Sequence, residues 1–122
     1  VSAAGDRLQG TARQTALALQ GVSHGYPFTS SLDVYKVAGK VFLIVTDAPD
    51  EQIITVKCEP ELARAHVHAH ATITPGRYLD KRHWISLGPG PGITKRLVTD
   101  AVEHSYDLVV EGTAGTRRGG AR

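Results

Sequence analysis

Cysteine is nearly absent: Cys58 stands alone, so no internal disulfide can form and no CxxC pair offers a metal or redox site. A lone thiol fits a reducing cytoplasm. Long apolar runs are missing too. The longest, Val41 to Val45, is far too short to cross a bilayer, and Val1 to Gly10 lacks the continuous apolar core of a signal peptide. Nor is there a large excess of one charge. The 14 Lys+Arg against 12 Asp+Glu give +2, and Arg117, Arg118 and Arg122 fall after Gly112, where no acid follows. Taking those three arginines from the 14 leaves 11 bases against 12 acids in residues 1–112, a net of −1. Bulk charge therefore gives the folded part no attraction for phosphate, and an anionic partner needs a local patch or the tail. Internal repeats are also lacking.

What is there describes one ordinary domain. A chain of 122 residues, 41% apolar and 21% charged, buries roughly two thirds of its unfolded surface without help from a metal or disulfide. Its 13 glycines and 6 prolines favour short elements joined by tight turns over a helical bundle. The single domain is expected over 1–112. The small, polar and basic composition of 113–122 predicts a disordered tail.

Leu8, Ala12, Ala16 and Leu19 recur at helical spacing and predict a helix from Asp6 to Gln20, with Asp6 as cap and Gly21 as stop. A short strand is expected through Tyr26 and Phe28, with Pro27 keeping it at an edge or strand end. Val34 to Val37 and Val41 to Thr46, joined by Ala38-Gly39-Lys40, read as a hairpin because β-branched residues crowd both arms around a glycine. After a polar loop from Asp47 to Gln52, Ile53 to Lys57 adds a further strand to an antiparallel meander. Glu59, Pro60 and Glu61 open a second helix, with Leu62, Ala65 and Ala69 expected to face the core. Thr74-Pro75-Gly76 reads as a turn leading into strands at 77–79 and 83–87, and Gly88 to Gly92 as a break. A last helix is predicted over Ile93 to Glu111, with Leu97, Ala101, His104 or Ser105, and Leu108 inward and Gly112 as its stop. This order predicts an α+β fold: an antiparallel sheet of about five to six strands with helices packed on one face and the other more open to water.

Motifs with catalytic or metal-binding chemistry are weak. His66 and His70 share a helix face and could ligate a metal, but spacing places no third ligand and the pattern reads as a solvated face. Lys57 beside Cys58 could activate the thiol, although a buried structural cysteine accounts for the same residues. Gly88-Pro89-Gly90-Pro91-Gly92 cannot cradle phosphate, because proline removes the required N–H groups and no Gly-Lys-Ser/Thr follows. His104-Ser105-Tyr106-Asp107 on one helix points in several directions, so it is no triad. No motif for a metal, a cofactor or catalysis emerges. The informative stretch is Arg77-Tyr78-Leu79-Asp80-Lys81-Arg82-His83-Trp84, which interleaves cations with aromatics as phosphate and base contacts require.

Tyr26-Pro27-Phe28, the hairpin from Val34 to Phe42, Val56 to Leu62, the run from Thr74 through Trp84, and His104 to Val109 together resemble the MmcQ/YjbR family. The resemblance implies a CyaY-like (frataxin-like) α+β fold and a non-enzymatic DNA-binding role. Arg77, Lys81, Arg82, His83, Trp84, Lys36 and Lys40 would then contact double-stranded DNA, mainly through its phosphates. Asp80 stands where the family usually has asparagine. Two other readings follow from the residues: a protein- or ligand-binding face around Tyr26, Tyr35, Tyr78 and Trp84, and frataxin-like metal handling. The second lacks the acidic first helix it needs, since Asp6 stands among Arg7 and Arg13. A monomer is expected.

Overall fold

A computed structural model describes residues 3–76 and 79–114. Helix α1 (Ala3–Leu17) leads into strands β1 (Val22–Gly25), β2 (Leu32–Val37), β3 (Lys40–Ala48) and β4 (Glu51–Lys57). Helix α2 (Pro60–Ala69), strands β5 (Ile73–Pro75) and β6 (Trp84–Leu87), and helix α3 (Lys95–Ala114) complete the chain. The strands form one six-stranded antiparallel sheet in the order β1-β2-β3-β4-β6-β5.

Register explains why the core lies on one face. His24, Tyr35, Leu43, Val56, Ile85 and Pro75 form a row across all six strands, and Asp33, Val45, Ile54, Leu87 and Ile73 form the next row on that side. Most of these apolar side chains are buried, together with Leu8, Ala12 and Ala16 of α1 and Val98, Val102 and Val109 of α3. Gly25, Val34, Ile44, Thr55, Ser86 and Thr74 form a row on the opposite face. There the hydroxyls of Thr55 and Ser86 satisfy each other at 2.8 Å.

The β2–β3 hairpin is tight, with Ala38 and Gly39 both at positive φ (53° and 78°). That pair fits the right-handed twist of the strands it joins. Beyond it the register shifts: Tyr35 faces Leu43 while Lys36 faces Val41, leaving Phe42 as the extra residue of a bulge. Ser105 of α3 repairs the break. Its hydroxyl donates to the Phe42 carbonyl (2.6 Å) and accepts from the Lys57 N–H (2.8 Å). At the other end of the sheet Gln9 donates to the carbonyls of Thr46 (2.5 Å) and Ile53 (3.2 Å), fastening α1 across β3 and β4.

Several sequence expectations are corrected. The first helix begins at Ala3, so Asp6 is no cap; its carboxylate accepts from Gln52 Nε2 instead. The helix ends at Leu17, three residues early, in a tightened turn through Leu19. The first strand is Val22–Gly25 rather than Tyr26 to Phe28, because His24 is held by Asp33 and stacks on Tyr35, while Tyr26 and Phe28 leave the sheet exposed. In α2 the buried residue is Ala63, with Val67 packed against the core, whereas Leu62, Ala65 and Ala69 are exposed. Thr74 and Pro75 are strand, not turn: β5 is an edge, where a missing N–H costs no ladder bond. The predicted strand at 77–79 includes Arg77 and Tyr78, which lie outside the described residues. Helix α3 starts behind Thr94, whose hydroxyl accepts from the Leu97 N–H, and it passes through Gly112 to Ala114. Of the tail predicted over 113–122, residues 113 and 114 belong to α3, and the rest lies outside the described residues.

Candidate nucleic-acid interface

The antiparallel register carries several cations to one end of the sheet. Lys36 is the penultimate residue of β2, Lys40 begins β3, Lys57 ends β4, and the turn before β6 carries Lys81 and Arg82. Because Lys57 pairs with Trp84 and Pro75 with Ile85, Gly76 and residues 79–83 lie at the same end as the β2–β3 turn. Across β2 to β6 these residues span roughly 15 Å at the usual strand spacing. That is about four base-pair steps of a duplex strand.

The sites do not share one face. Lys36, Lys57 and Trp84 stand on the side away from the helices, by the alternation of their strands. Lys40 is exposed at the hairpin bend. Lys81 and Arg82 line a groove against α2, facing Arg64 and His68. Arg77 lies outside the described residues.

Asp80 shapes the turn that carries Lys81 and Arg82. One carboxylate oxygen accepts from the Arg82 N–H at 2.9 Å and the other meets His83 Nδ1 at 3.1 Å. The backbone N–H of Arg82 first, and then His83, hold this carboxyl below its usual range. Its charge also lies 3.7 Å from Arg82 Nε, so it partly offsets that guanidinium. Lys81 has no ion-pair partner among the described residues. Gly76 closes the turn on its other side, donating to the Trp84 carbonyl at 2.7 Å. A Cβ there would lie 2.5 Å from the Trp84 Cβ, so only glycine permits the approach.

The remaining chemistry-bearing residues have structural settings. Cys58 is buried, and burial with the neighbouring Glu59 pushes its thiol up to about 11, away from reactivity. His66 and His70 stand 6.2 Å apart between ring centres. Burial, followed by His70 and His104, lowers the affinity of His66 for a proton. No group of three His, Cys, Asp or Glu able to hold a metal occurs among the described residues. Ser105 is consumed by the bulge, Tyr106 donates to the Gln20 carbonyl at 2.6 Å, and His104 Nε2 lies 3.8 Å from Glu59. Tyr35, expected on an open aromatic face, is fully buried on the helix side, where its hydroxyl donates to Asp33 at 2.9 Å. Tyr26 is exposed outside the sheet, so it and the buried Tyr35 do not make one face, and Tyr78 lies outside the described residues.

Sequence reasoning missed Lys57 and Arg64. The signal for Lys57 was present, since it alternates with the inward Val56 and Ile54 at the end of a strand. Arg64 joins Lys81 only through the packing of α2 on β5 and β6, which no local pattern reveals. Among the described residues no helix is long and apolar enough to cross a membrane.

Comparison with known proteins agrees on kinship. The YjbR family model matches residues 17–108. The chain is 35% identical over 107 residues to the uncharacterised protein YbdF of Escherichia coli O157:H7, covering 88% of each. It is 27% identical over 75 residues to the uncharacterised protein YjbR of Escherichia coli K12, covering 62% of this chain and 64% of that one. A crystal structure of a Deinococcus radiodurans protein with a DUF419 domain superposes with a TM-score of 0.75 at 24% identity, over 81% of this chain and 75% of that one. A Pseudomonas syringae protein gives 0.57 at 19% identity, over 73% and 90% respectively, which speaks to fold alone.

Proposed function

The chain belongs to the YjbR family, and for this member we propose a non-enzymatic role in binding double-stranded DNA through its phosphates. The observation that carries this reading is the gathering of Lys36, Lys40, Lys57, Lys81 and Arg82 at one end of the sheet of a chain that is close to neutral as a whole. Phosphate attraction depends on local cation density more than on total charge. Trp84, half-buried between that end and the sheet, adds an aromatic edge beside Lys57. The sheet with helices on one side also supports reading the fold as CyaY-like.

The test is duplex affinity at low salt for the full chain and for Lys81→Ala/Arg82→Ala. Removing two phosphate partners should weaken binding by at least about tenfold, alike for every sequence, because phosphates carry no base information. Equal affinity for the two proteins would overturn the reading. A chain ending at Ala114, where α3 ends, is the control for the tail arginines.

A further inference from the structure

We propose that the groove between α2 and the turn before β6 binds a small organic anion with an apolar body. This site goes beyond the DNA reading and does not rest on it. The groove has a volume of about 550 Å³, within the range of small-molecule sites. Its floor is apolar: Ala63 and Ile85 are buried, and Val67 and Pro75 complete it. Ala63 and Val67 lie one helical turn apart and so present one continuous strip. Arg64 and His68, also one turn apart on α2, form one rim, while Lys81 and Arg82 form the other.

Among the described residues no carboxylate lines this groove. Of the acids next to lining residues in sequence, Asp80 is engaged with the Arg82 N–H and with His83, Glu59 lies 3.8 Å from His104 Nε2, and Glu61 is exposed in the first turn of α2. An Arg-Lys rim without an acid repels cationic ligands and gives a neutral ligand's carbonyl a charged donor but no ion pair. Inorganic phosphate would satisfy the rim but leave the apolar floor wet. A carboxylate or sulfonate on a flat hydrocarbon body answers both surfaces.

The probe is 2-naphthoate, compared with neutral 2-naphthamide and with inorganic phosphate. Calorimetry on the full chain should give saturable naphthoate binding at least about tenfold tighter than the amide, since the carboxylate adds a charge–charge attraction to the hydrogen bond that the amide carbonyl also accepts from the rim. Phosphate should bind far more weakly than naphthoate. Amide NMR shifts should concentrate at Arg64, Val67, Lys81 and Ile85. Val67→Trp fills the groove and should abolish naphthoate binding while leaving duplex affinity intact, which separates this site from the DNA reading. Arg64→Gln should weaken naphthoate by about fivefold without altering the thermal melt, and it serves if the tryptophan variant does not fold. Equal binding of naphthoate and naphthamide, shifts mapping elsewhere, or wild-type affinity in folded Val67→Trp or in Arg64→Gln would each overturn the proposal.

Discussion

Asp33→Ala should destabilise the protein by about 3 kcal/mol, the lower end of the cost of breaking a buried ion pair. The carboxylate is fully buried and holds a network together. It accepts from Arg13 Nη1 at 2.8 Å and from the Tyr35 hydroxyl at 2.9 Å, and it meets His24 Nδ1 at 2.9 Å. Removing it leaves a buried hydroxyl without its acceptor and a half-buried guanidinium with only Asp47 at 3.9 Å as a carboxylate partner. The Arg13 side chain keeps 30% of its surface exposed, so water recovers part of the loss, and this sets the figure at the lower end. Edge strand β1 should loosen as well, because His24 bridges it to β2. Thermal melting should fall by about 10 °C or more for a domain of this size. A chemical-denaturation loss below about 1 kcal/mol would show that the network is dispensable.

Ser105→Ala should cost about 2 kcal/mol, because one deleted hydroxyl strands two backbone groups. The bulge at Phe42 takes its carbonyl and the Lys57 N–H out of step, and Ser105 serves both from a fully buried position. Alanine fits the space but offers no partner. The contrast is Thr55 with Ser86, which serve each other. Replacing both of these with Val and Ala should change stability little, since neither partner is left orphaned. Equilibrium unfolding of both variants checks the pair. Equal losses would contradict the view that Ser105 repairs the ladder.

What the sequence made legible was local in origin. The β2–β3 hairpin, the strand ending at Lys57 and the α3 helix carry their own periodicity and turn chemistry, and they stand close to where that pattern places them. The α+β layering follows from their order. The misreadings of β1, β5 and α2 share one physical cause, which is contact across the fold. Ser23 and Gly25 have turn character, yet β1 forms there because His24 meets Tyr35 and Asp33 on the neighbouring strand. Thr74-Pro75-Gly76 has turn character too, but the edge of the sheet tolerates the proline and Trp84 accepts the glycine N–H. The rotation of α2 toward Ala63 depends on its seat against β5 and β6. The cationic segment around Lys81 was visible as composition. Its union with Lys57 at one sheet end, and with Arg64 across a groove, exists only in three dimensions.

The salt dependence of duplex DNA affinity tests the account most directly, measured for the full chain and for Lys36→Ala/Lys57→Ala/Lys81→Ala/Arg82→Ala. If these cations meet phosphates, the plot of log affinity against log salt should flatten by roughly 0.9 for each phosphate no longer neutralised, about 3 to 4 in all. Parallel plots for the two proteins would mean that the sheet end does not hold the duplex.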